Sequence, residues 1–210
     1  MCLLAVAGLL AGCPSTTLRA VHDPDYVGRT YERLVVSAPD VTDFEKRATI
    51  EDIYARSLVD EGFRGQVWKH YALFPPTRTQ TPEAIAKSLS ERGIEARLEV
   101  RIPDSGATRS YVPRSNTTTS TTETRKQKNA TVRETRVTSN ESGGYHVYTP
   151  WMKIEVRLVD LNRQGVAWLG SSSVQGTASG SETALYETQA DAVSRKLIAD
   201  KVIQGPKSWF

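Results

Sequence analysis

The chain has 210 residues, 39% of them hydrophobic, a net charge of only +3 and two cysteines, Cys2 and Cys13. That length is enough for one domain, or a domain with an elaboration, that buries roughly 70% of its unfolded surface. Two cysteines this close to the start exclude a disulfide framework as the source of stability.

Residues 1–12, MCLLAVAGLLAG, carry no charge. The run is far short of the ~20 apolar residues a membrane-spanning helix needs and fits a signal-peptide core of ~7–15. Leu10-Ala11-Gly12-Cys13 resembles the bacterial lipobox, with an apolar run before it and polar Pro14-Ser15-Thr16-Thr17 after it. The resemblance implies cleavage before Cys13 and acylation of its thiol, palmitate being a typical chain. Two or more acyl chains anchor stably because each buried methylene contributes ~0.8 kcal/mol. Pro14 in place of Asp after the cysteine implies sorting to the outer membrane of a Gram-negative bacterium, with the domain in the periplasm. Removal of Cys2 with the signal leaves Cys13 no disulfide partner, and nucleic acid is not expected to meet such a protein.

Residues 13–28 lack periodicity and read as the lipidated cysteine and a tether. A single domain is expected over 29–205, with a tail at 206–210. A short β-prone run, TYERLVVSAP, opens it. A helix follows over 40–62, with Thr42 and Glu45 at capping-box spacing and Gly62 as its stop. A strand over about 64–74 ends at Pro75-Pro76, and Thr81-Pro82 starts a second helix that ends at Gly93. In IEARLEVRI, Ile94, Ala96, Leu98, Val100 and Ile102 alternate strictly with charged residues, and Trp151 to Asp160 repeats the pattern. Gly165 suits the left-handed position of a turn into a strand over about 166–177, and a last helix is expected over about 181–203. Strands charged on one face cannot be covered by helices on both. The expected fold is therefore α+β, a two-layer sandwich of a mixed β-sheet with about three helices on one face.

An insert over about 105–149 interrupts this plan. Its 115–124 segment holds eight Ser or Thr, and seven Lys or Arg face three Glu between Ser105 and Gly144. Such a composition cannot build a core, so the segment reads as a protruding polar β-hairpin, about 108–126 against 129–149, or as disorder. Its only apolar residues between Ser115 and Gly144, apart from glycine, are Ala130, Val132 and Val137, too few for the alternating band of a membrane-spanning hairpin. The basic excess, Arg125, Lys126 and Lys128 included, suits either a solvated charged loop or, as partner, lipid phosphates, lipopolysaccharide or an acidic protein surface. Tyr145, His146, Tyr148 and Trp151 form an aromatic run that suits either a stacking surface for a glycan or lipid or the edge of a core.

Motifs for catalysis are missing. His22, His70 and His146 are isolated from other metal-ligand types, and no phosphate loop, dinucleotide fingerprint or nucleophile elbow occurs. The Gly/Ser-rich WLGSSSVQGTASGS reads as a strand leading into a helix cap. Neither cofactor nor metal is expected, and no enzymatic activity. Taken together, the lipobox, YERLVVSAPDV, IEDIYARSLVDEGF, IEARLEVRI, KIEVRLVDLNRQGVAWLGSSS and the terminal helix resemble small envelope lipoproteins whose α/β domain is similar to the N-terminal domain of TolB and to the curli-secretion lipoprotein. That resemblance implies a non-catalytic outer-membrane lipoprotein that acts as a binding or assembly partner in the cell envelope. The alternative is a glycan- or lipid-binding module built on the aromatic run.

Overall fold

The computed structural model describes residues 15–127, 130–178 and 180–206. Cys13 and Lys128, with the expected signal and most of the expected tail, lie outside them. The elements in chain order are β1 (Ser15–His22), β2 (Arg33–Ser37), α1 (Phe44–Asp60), β3 (Gln66–Lys69), α2 (His70–Leu73), α3 (Pro82–Glu91), β4 (Ala96–Val112), β5 (Ser115–Gln127), β6 (Ala130–Ser142), β7 (Tyr145–Asp160), β8 (Gly165–Gln175) and α4 (Glu182–Ala199). Six strands form one sheet in the order β1-β8-β7-β4-β2-β3, and β5 and β6 form a second, two-stranded one. In the main sheet β2 runs parallel to both β3 and β4, while every other pairing is antiparallel. The fold is thus the expected α+β sandwich on a mixed sheet.

The alternation read in the sequence sets the core. Ala96, Leu98 and Val100 of β4 and Met152, Ile154, Val156 and Leu158 of β7 are buried on one face. There they meet Ile50, Tyr54 and Leu58 of α1 and Leu185, Val193 and Leu197 of α4. Each large apolar side chain so covered contributes about 1.5–3 kcal/mol. The two helices are joined by the Ser57 hydroxyl, which donates to Asp191 at 2.8 Å. Val35 points through the sheet the other way, and with Phe74, Leu89 and Ile94 forms a small second cluster where α3 packs. The Gly/Ser-rich segment is, as expected, a strand leading to a cap, in which Ser181 accepts the N–H of Ala184. Its Gly170 is required by packing, because a Cβ there would enter the Trp168 ring.

Several boundaries differ from the sequence-based expectation. Residues 15–22 are not tether: they form edge strand β1, paired along its length with β8. Thr16 donates to Gln189 of α4 at 2.9 Å, a contact no local pattern announces. The cap of α1 is Asp43, whose carboxylate accepts the N–H of Lys46 at 2.7 Å, so Thr42 is not part of it. The expected strand at 64–74 ends at Lys69, where α2 begins. Buried Glu51 captures the free N–H of Tyr71 at 2.8 Å and that of Ala38 at 3.2 Å, which fixes the turn. The left-handed residue of the β7–β8 turn is Gln164, with φ 54°, not Gly165. Gly165 is needed instead because a side chain there would collide with the Tyr26 hydroxyl.

Candidate functional site

Side chains that alternate away from the core line the other face of the sheet. Paired across β4 and β7, Glu99 lies opposite Arg157 and Arg101 opposite Glu155. Glu99, only 5% exposed, is held by Arg97 at 2.6 Å and Arg101 at 3.1 Å, while Glu155 accepts from Arg157 at 2.6 Å. The rows continue through Ser171 and Ser173 of β8 to Thr17 and Arg19 of β1, all four exposed. Outside the corner under α3 this face is open, with a shallow depression of about 310 Å³ between Arg19, Lys153, Glu155 and Ser173. Glu155 and Arg157 form a part-exposed pair, and pairs of that kind contribute only about 0–1 kcal/mol. Exchanging that pair for a partner's charges therefore costs the fold little, whereas Glu99, buried between Arg97 and Arg101, belongs to the fold.

The insert leaves one end of the sheet as an arm. Past Trp151, which pairs with Gly106 and Gln175, β4 and β7 continue alone to Val112 and Tyr145. Both strands then break, at Pro113-Arg114 on one side and at Gly143-Gly144 on the other, where both glycines have positive φ, 87° and 76°. Beyond this elbow β5 and β6 pair from Ser115↔Ser142 to Gln127↔Ala130. The contour from Ala107 to Gln127 is about 65 Å at ~3.3 Å per residue. The hairpin alternative is therefore the one the fold adopts. Threonine on both of its faces favours extended backbone, and Thr122 and Thr135 share a hydroxyl contact at 3.2 Å.

The aromatic run sits at the arm's base, and the strand divides it. Tyr145 and Trp151 fall on the sheet's open side, His146 and Tyr148 on the opposite side, as odd and even positions of one strand must. His146 packs on Tyr111, ring centres 5.2 Å apart, and Lys153 lies 5.9 Å from the Trp151 ring. Tyr111, Tyr145 and Tyr148 are each more than half exposed. The four residues are thus not brought together as one ledge. Arg125 and Lys126 lie on β5, opposite Val132 and Thr131 in the register.

One concavity was not legible in the sequence. A cleft of about 510 Å³ opens between α3 and the sheet, lined by Ile85, Leu89, Ile94 and Leu161 with His70 and Arg97. Burial, with the positive fields of Arg97 and Arg47, lowers the His70 imidazole to about 4, so it is neutral at pH 7. No carboxylate lines the cleft to pair with it, which leaves the site suited to holding an apolar group rather than to moving protons. Among the described residues no group of three or more His, Cys, Asp or Glu could hold a metal ion. Asp160, fully buried below the cleft's turn, is structural. Burial would raise its carboxyl, but the N–H groups of Arg163 and Asn162, the Tyr31 hydroxyl and Arg29 hold it below its usual range.

These features define an α+β domain with one open, charge-paired sheet face and a long polar arm. No protein-family model matches the chain, and no curated protein does so. Among solved structures, it is similar to the PelC dodecamer from Paraburkholderia phytofirmans, with 12% identity and a TM-score of 0.46 over 90% of this chain and 98% of that one. A substituted form of the same PelC gives 12% identity and a TM-score of 0.47 over 90% and 100% of the two chains.

Proposed function

We propose that this is a non-catalytic lipoprotein of the bacterial outer membrane, tied to the bilayer by acyl chains on Cys13 and serving as a binding or assembly partner in the envelope. Its folded domain begins at Ser15 and faces the periplasm. The lipobox-like Leu10-Ala11-Gly12-Cys13 supports the address. The observation that carries the role is the open sheet face, where Arg101, Glu155 and Arg157, each about a third exposed, border the exposed Ser171, Ser173, Thr17 and Arg19 instead of lying beneath a helix. Antiparallel sheets commonly keep one polar face in solvent, and here that face is left free for a partner to cover.

Two measurements test this. Cys13→Ser is expected to abolish metabolic palmitate labelling and to release the protein from sedimented membranes; retention of both rules out the anchor. A photo-crosslinking amino acid at Ser171, on the open face, is expected to give a discrete adduct in intact cells, whereas one at Glu187, on the exposed side of α4, gives none. Adducts from position 187 alone would move the partner surface to the helical layer.

A further inference from the structure

The register of the sheet places the start of β1 and the root of the arm at the same end. Ser15 pairs with Gln175, Gln175 with Trp151, and Trp151 with Gly106. Cys13 is two residues before Ser15, a distance the chain spans in at most about 7 Å. The β7–β8 turn at Asn162 is the opposite end, about 30 Å away along β7. Resting on the anchor proposed above, the lipid attachment and the root of the arm therefore meet the bilayer together.

The arm cannot continue into the hydrocarbon. Each unpaired backbone group on its two edges would cost several kcal/mol there, and its threonines and charges would add to that. To lie along the surface instead it needs a bend, which the backbone supplies at the elbow of Pro113-Arg114 and Gly143-Gly144. Two further observations agree with that placement. Exposed Tyr111, Tyr145 and Tyr148 and half-buried Trp151 are spread along the about 20 Å of ribbon between the root and the elbow, and tyrosine and tryptophan are enriched at membrane interfaces. The segment from Ser105 to Gly144 carries seven basic residues against three acidic ones, and Lys and Arg near an anionic lipid surface are drawn to it. We infer that the arm lies on the anionic headgroups of the membrane that holds the anchor, leaving the open sheet face for a protein partner.

The test uses the mature full chain, purified from membranes with Thr121→Cys in the arm or Asn162→Cys in the distal turn. Each is labelled with a fluorescent dye and placed in vesicles of phosphatidylethanolamine and phosphatidylglycerol, 3:1, carrying a headgroup nitroxide quencher. A lipidated Cys13 takes no dye, so one dye per molecule and flotation with the vesicles report the anchor independently. The expected result is at least fivefold stronger quenching at position 121 than at 162, reduced when phosphatidylglycerol is omitted. Equal, weak quenching on vesicles that still carry the protein overturns the inference and leaves the anchor standing. A dye at 121 that lipid does not quench but that is shielded from aqueous iodide assigns the arm to a contact with this chain itself or a second copy of it and overturns it equally. More than one dye per molecule with no flotation removes the anchor, and the inference with it.

Discussion

The sandwich and the arm are both β-rich, yet they hold together by different means. In the sandwich each strand has one face covered, so Leu98, Ile154, Trp168 and their neighbours lose all contact with water. In the arm the described side chains of β5 and β6 are exposed on both faces, and only backbone pairing and threonine contacts remain. An isolated two-stranded hairpin is marginal in water at best. Similar extended backbone therefore gives a packed unit in one region and a ribbon without a core in the other.

Mutations that open the sandwich should show the largest effects. Trp168→Ala removes a fully buried ring and its 2.9 Å donation to Asp200, and about 3–5 kcal/mol of stability should be lost in urea denaturation. Next comes Asp160→Asn, which leaves Arg29 and the Tyr31 hydroxyl without their anion at 2.6 and 2.9 Å. A loss of about 2–3 kcal/mol is expected by the same assay, and no change would show that this network adds nothing to the fold. Acid should act through His70. The unfolded chain takes up a proton from about pH 6.5 downward but the folded one only near 4, so stability declines between these values and is unaffected above them. His70→Gln should flatten the decline measured across that window. Smallest of all should be replacement of 108–149 by Asn-Gly, joining the paired Ala107 and Pro150 through a two-residue turn. The midpoint of thermal unfolding should move by no more than about 3 °C, equivalent to less than about 1 kcal/mol. A larger fall would mean that the arm supports the sandwich.

How much could be read from the sequence follows from how local each interaction is. The centre of the sheet was legible because β4 and β7 repeat a period of two with charged alternates, and α3 and α4 because Thr81 and Ser181 cap them in the usual way. The open charged face followed directly from that alternation. Strand β1 was missed because Leu18 and Ala20 are its only clearly inward apolar residues, and its partner lies at the other end of the chain. The cleft was missed for a related reason, since α3 reaches over Val35 and Ile94 by tertiary packing. Residue parity alone would have divided Tyr145 and Trp151 from His146 and Tyr148 once a strand was assumed. Tyr111 drew no notice because only the register brings it to His146.

The pairing of β1 with β8 also sets an order of events. Its partner is made about 150 residues later, so β1 has nothing to pair with while the chain is being synthesised from its N-terminus. The peptide immediately after Cys13 therefore stays extended and accessible until Gly165–Gln175 arrives. If Cys13 is acylated as proposed above, the enzymes that act there would meet a loose substrate first, before β1 docks on the edge of the sheet.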